Sequence, residues 1–79
     1  MTIRDRIHAR VIALCRVPEL PADVDIFERG LLSSLYALRL VQALEREFGV
    51  EIGDDDLSVK NFRTIEAMTQ LIARLVPAA

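Results

Sequence analysis

The chain has 79 residues and a mass of 8.9 kDa, the size of one domain whose single apolar core is only just sufficient. Hydrophobic residues at 52% and charged residues at 28% exclude a disordered chain. A pI near 5.3 without a basic recognition helix argues against nucleic-acid binding.

Aromatic residues are few, so the core falls to Leu, Ile, Val and Ala. The single cysteine, Cys15, leaves no intrachain disulfide and fits a reducing cytoplasm. No apolar run approaches the ~20 residues of a membrane span. Met1-Thr2-Ile3-Arg4-Asp5-Arg6 turns amphipathic at once, so no signal peptide is expected. Charge is uneven: Arg4, Arg6, Arg10 and Arg16 face only Asp5 near the start. Glu45, Glu47, Glu51, Asp54, Asp55 and Asp56 face only Arg46 further on. The arginines read as an ordinary solvated face, and the acidic segment as one that repels phosphate backbones and attracts basic protein surfaces.

Thr2-x-x-Asp5 reads as a capping box opening a helix, and Ile3, Ile7, Val11 and Leu14 recur along it at helical spacing. Pro18 and Pro21 are expected to end that helix. Residues 17–32 read as a long loop, anchored by Val24, Ile26, Phe27, Leu31 and Leu32. A second helix is expected from Ser33 or Ser34 to about Phe48. Its buried face is read as Leu35, Leu38, Val41, Leu44 and Phe48, widened by Ala37 and Leu40. Gly49 supplies the stop. Val50 and Ile52 anchor the next loop, and Asp54–Leu57 is expected to form one short turn. Thr64 is expected to cap the last helix, with a stripe of Ile65, Met68, Ile72 and Leu75 flanked by Leu71. Pro77-Ala78-Ala79 reads as a frayed tail. Together these elements predict an all-α chain: a small bundle of three long helices plus one short one, with a long first connection.

The candidate site is Gly30-Leu31-Leu32-Ser33-Ser34-Leu35, where a glycine closes a loop and two hydroxyls open a helix. A serine there is usually a cap. One cap suffices, so Ser33 takes that role and Ser34 falls in the first turn. An anion attached to Ser34 would sit near the positive end of the helix dipole. Nucleophilic catalysis at Ser34 needs a base and an orienting partner. The only histidine, His8, lies in the basic first helix, and no Gly-x-Ser-x-Gly elbow surrounds Ser34. Cys15 reads as a half-buried core thiol. Asp54-Asp55-Asp56 lacks the spacing of a calcium loop and reads as a solvated cap, so neither a catalytic nor a metal-ligating residue is expected. Residues that can be modified but cannot catalyse point to a carrier rather than an enzyme.

Asp25-Ile26-Phe27-Glu28-x-Gly30-Leu31-Leu32-Ser33-Ser34-Leu35, then Leu40-Val41-x-Ala43-Leu44-Glu45-x-Glu47-Phe48-Gly49-Val50-Glu51-Ile52, resembles the acyl carrier proteins. The resemblance runs on through Asp56-Leu57 and Asn61-Phe62-Arg63-Thr64-Ile65 and covers roughly residues 23–76. It implies a four-helix bundle forming a single carrier domain over 1–79, with its core in 2–76. It implies 4′-phosphopantetheine on Ser34, placed there from coenzyme A by a phosphopantetheinyl transferase. A cargo would ride on the arm's thiol as a thioester, supplied by a loading enzyme and passed to an acyltransferase or synthase. Ser33 flanks the site as its cap. Leu35, Tyr36, Arg39 and Arg46 would form the docking face, with Leu57 and Phe62 near the arm's exit. A cytoplasmic monomer is expected.

Two departures stand out. Most members have Asp before the modified serine, where it helps position the transferase and its metal, and this chain has Ser33. Fatty-acid carriers expose a strongly acidic second helix, whereas this one presents Tyr36, Arg39, Gln42 and Arg46. A reversed docking charge selects a different partner. Gly30-Leu31-Leu32 and Asn61-Phe62-Arg63-Thr64 look like discrete carriers of secondary metabolism, such as those of methoxymalonyl or glyceryl units in polyketide antibiotic assembly. Aminoacyl carriers, including D-alanyl carriers, share Gly-Leu-Leu-x-Ser, and an unmodified helical interaction domain is the rival from another class.

Overall fold

A computed structural model of the chain describes residues 2–76, with Ser34 described through its backbone alone. Among these residues there are four α-helices and no strand: α1 (Ile3–Cys15), α2 (Ala37–Phe48), α3 (Val59–Phe62) and α4 (Ile65–Leu75). Two 3-10 turns, Ser34–Tyr36 and Asp54–Asp56, complete the order. The expected tail at 77–79 lies outside the described residues.

The capping box forms as its spacing requires. The Thr2 hydroxyl accepts the Asp5 amide at 3.1 Å, and the Asp5 carboxylate accepts the Thr2 amide at 3.2 Å. The other end of α1 differs from the expectation. It stops at Arg16, whose left-handed backbone (φ 57°) returns its amide to the Ile12 carbonyl. Val17 then donates to the same carbonyl at 3.2 Å. Pro18 follows a helix that has already ended. Gly49 does end α2 in the left-handed region, at φ 63°. Thr64 caps α4 by accepting the Ala67 amide at 3.0 Å.

α1 packs against both α2 and α4, and α3 packs on α4. Ile7 and Val11 from α1 meet Leu40, Val41 and Leu44 from α2 and Ile65, Met68, Leu71 and Ile72 from α4. Leu20, Ile26, Leu32, Ile52 and Phe62 fill the remaining core from the loops and α3. The α2 face is therefore rotated from the one expected. Leu40 sits at its centre, while Leu35 is 84% and Leu38 61% exposed. Leu35 lies in the 3-10 turn, which winds more tightly than the α-helix and carries it out of the α2 register. Leu38 falls on the flank of the row formed by Leu40, Val41 and Leu44. The short turn expected at Asp54–Leu57 forms, and a further short helix that was not expected comes after it. Asp54–Asp56 makes a 3-10 turn, and α3 follows, capped by the Ser58 hydroxyl on the Lys60 amide.

The long first loop is tied down along its length. The Ala22 carbonyl accepts the Glu66 amide at 3.0 Å, and the Ile26 amide donates to the Arg63 carbonyl at 2.8 Å. Asp25 accepts the Phe27 and Glu28 amides with one oxygen, both at 3.0 Å, and pairs with Arg63 through the other at 2.7 Å. These bonds, the Glu28 amide first and the Arg63 guanidinium next, hold the Asp25 carboxyl below the ordinary carboxylate range.

The N-terminal arginines are not simply a solvated face. Arg6 and Arg10 converge on Glu47 of α2, at 2.8 and 2.6 Å, and Arg4 pairs with Glu66 of α4. Arg6 also reaches the Glu47 carbonyl at 2.7 Å, satisfying an acceptor at the end of α2. Half of the acidic segment is likewise engaged, while Glu51, Asp54 and Asp55 stay exposed as a solvated face. Glu47 takes these arginines, the Glu45 carboxylate accepts the Ile52 amide at 2.8 Å, and Asp56 faces Arg74 at 3.8 Å.

Two outcomes follow from the caps and the clamp. A left-handed backbone costs an L-residue about 1 kcal/mol that glycine avoids. Arg16→Gly should therefore raise stability by about 0.5–1 kcal/mol, a gain of several degrees in Tm by calorimetry. Asp25→Asn should lower Tm near neutral pH. A depressed carboxyl stabilises the fold fully above its unfolded value, roughly 3.9, and the contribution fades as pH falls through the folded value. The gap between variant and wild type should close below about pH 4 in thermal melts followed by circular dichroism. A gap of constant size would contradict the clamp.

Candidate functional site

The loop delivers its last residues to the surface by a short series of bonds. Gly30 adopts φ 69°, a left-handed backbone, and donates to the Phe27 carbonyl at 3.0 Å. Nothing lies within 4 Å of a side chain placed there, so the backbone angle, not crowding, calls for glycine. The Ile26 carbonyl then accepts both the Leu31 amide at 2.9 Å and the Leu32 amide at 3.3 Å. Ile26 and Leu32 are buried, so the chain is staked on both sides of the turn before it emerges at exposed Ser33. The Ser33 carbonyl accepts the Tyr36 amide at 3.0 Å, closing the 3-10 turn that Ser34 opens. Ser33 thus holds the expected cap position, through its carbonyl.

The 3-10 turn runs directly into α2, and both lead outward. Leu35, Tyr36, Leu38, Arg39 and Arg46 are exposed. The Arg39 guanidinium lies 5.5 Å from the centre of the Tyr36 ring. Across a shallow groove stand exposed Leu57 and Val59. Leu38, Leu57, Val59 and Phe62 help line an apolar cavity of about 190 Å³. Phe62 itself is only 3% exposed. It belongs to the floor of this cavity and not to a docking surface, because its ring completes the core where α3 meets α4.

The remaining polar candidates have structural duties. His8 accepts the Leu20 amide on its Nε2 at 3.3 Å, holding a buried leucine of the first loop that the sequence reading had not singled out. Cys15 is half-buried, and desolvation pushes its thiol up, away from the reactive thiolate. Among the described residues, no group of His, Cys, Asp or Glu could hold a metal ion. No described helix is long and apolar enough to cross a membrane.

An all-helical domain whose serine-bearing turn emerges from a clamped loop, with its histidine bonded to that loop and its cysteine half-buried, has the character of a carrier. Comparison with protein families places it. The phosphopantetheine attachment site family matches residues 5–72, and the chain belongs to that family. A comparison with curated proteins returned no match. The chain is thus a carrier protein with covalently attached 4′-phosphopantetheine, in a domain family that is generally non-catalytic. Such domains engage phosphopantetheinyl transferases and acyl-handling enzymes.

The residues around the turn fit such a group. From Gly30 to Leu44 the chain has no carboxylate to repel a phosphodiester, while Arg39 supplies an exposed positive charge. The bound group supplies a thiol that holds cargo as a thioester.

Proposed function

We propose that the arm is carried on Ser34 and that the chain presents an acyl or aminoacyl intermediate to partner enzymes of polyketide-type secondary metabolism, in the cytoplasm. The observation that carries the attachment site is positional. Within the segment matched by the family, Ser34 opens the helical turn at the exit of the clamped loop.

The outward face of α2 supports a choice of partner. Leu35, Tyr36 and Leu38 form an apolar centre, and Arg39 and Arg46 add positive charge on the same helix. Of the acidic residues at the far end of α2, Glu45 and Glu47 are turned to internal bonds. This face favours an enzyme with an apolar recess edged by carboxylates, and disfavours the basic surfaces that recognise acidic carriers. The charge of the helix therefore speaks for a dedicated partner in place of a housekeeping fatty-acid system.

Incubation with coenzyme A, magnesium and a broad-specificity transferase should add one phosphopantetheine to the wild-type chain, read by intact mass. Ser34→Ala should gain none. A gain that persists in Ser34→Ala would refute the site, and no gain in the wild type would favour an unmodified interaction domain. Ser33→Asp should load faster and melt at a slightly higher temperature. A carboxylate at the cap position stabilises the helix start by about 0.3–1 kcal/mol.

A further inference from the structure

A second cavity, of about 630 Å³, opens on the other side of the serine-bearing turn, between the last turn of α1 and the start of α2. Its volume falls within the range of small-molecule sites, about 300–1,000 Å³, which the 190 Å³ apolar cavity does not reach. Leu14 and Leu32 give it an apolar wall, and Arg16, Tyr36 and Arg39 a polar one. Ser33 stands at its edge, one residue from Ser34, and no Asp or Glu lines it.

Two guanidiniums, those of Arg16 and Arg39, line this groove. Arg4, Arg6, Arg10, Arg63 and Arg74 each face a carboxylate. Among the described residues, Arg16 and Arg39, like Arg29 and Arg46, have no acidic partner, and of these four only Arg16 and Arg39 line the groove. Arg16 occupies the left-handed turn that ends α1, and the Arg39 guanidinium lies 5.5 Å from the centre of the Tyr36 ring, within cation–π range. Two uncompensated guanidiniums beside an apolar wall fit a small acid with a short hydrocarbon portion.

Resting on the assignment of the arm to Ser34, we propose that this groove receives the loaded arm and that Arg16 and Arg39 hold the free carboxylate of a dicarboxylic acyl cargo. The arm's phosphodiester is present whatever the cargo, so only the cargo's carboxylate makes occupancy of the groove depend on what is loaded. The carrier thereby separates carboxyl-terminated acyl groups from neutral ones before any partner reads them. Because both arginines are exposed, the preference is a few-fold one and weakens with salt.

The test compares the arm-bearing protein with no cargo, with acetyl and with malonyl, each transferred from the corresponding coenzyme A thioester. The readouts are the arginine Nε–H resonances and the alkylation rate of Cys15, which lines the same groove. Malonyl alone should shift Arg16 and Arg39 and slow Cys15 alkylation by about three- to tenfold. Raised salt and the double variant Arg16→Gln with Arg39→Gln should remove both effects, and lysine at both positions should restore them in part. Equal responses to malonyl and acetyl would overturn the proposal, as would the full response without cargo, which would identify the phosphodiester as the anion. Intact mass separates the two readings: a chain that accepts no arm overturns both, whereas a loaded chain indifferent to its cargo overturns the groove alone.

Discussion

The site depends on the clamp between the first loop and the start of α4. A segment as long as residues 17–32 has no ladder of its own to hold it, and each residue fixed costs conformational entropy. The Asp25–Arg63 pair, the Ile26 amide on the Arg63 carbonyl and the Glu66 amide on the Ala22 carbonyl supply the missing constraint. Buried Leu20, Ile26 and Leu32 supply the apolar part. Once Ile26 is fixed, its carbonyl fixes Leu31 and Leu32, and the chain must leave the core at Ser33. The place of the serine turn is thus decided some thirty residues away, at Arg63.

Much of this was legible in the residues, and the rest was not for a physical reason. Thr2, Asp5, Gly49 and Thr64 act on neighbours within one turn, so their spacing announces them. The stripes of α1 and α4 follow a single period and face one core. The α2 face misled because Leu35, Leu38 and Leu40 are all leucine, and composition alone does not fix the rotation of a helix. A 3-10 first turn and partners on two sides decide it. The ion pairs of Arg6 and Arg10 with Glu47, and of Asp25 with Arg63, join residues about forty positions apart, where no local pattern can reach. Asp25 did carry a local sign in its reach to the Phe27 and Glu28 amides, the turn chemistry an aspartate favours. The serine turn was readable because it needed a glycine in a left-handed backbone, and few residues substitute for that.

The distribution of polar groups then separates structure from function. Most of the charge at the ends of α1 and α2 is turned inward to join helices, and His8 is used to seat Leu20. Around one turn stand exposed Ser33, Leu35, Tyr36 and Leu38, with the exposed arginines at 16 and 39 beside them. An apolar cavity lies on one side and a larger, cationic one on the other. A domain whose histidine seats a core leucine, and which sets one serine turn at its surface between two cavities, is built to be acted upon.

That claim is tested most directly on protein from its native source by top-down mass spectrometry, in which the intact chain is weighed and then fragmented. The account predicts a chain heavier by phosphopantetheine, in part also by an acyl group, with the whole increment confined to fragments containing Ser34. A chain of unmodified mass, or an increment mapped to any other residue, would contradict it.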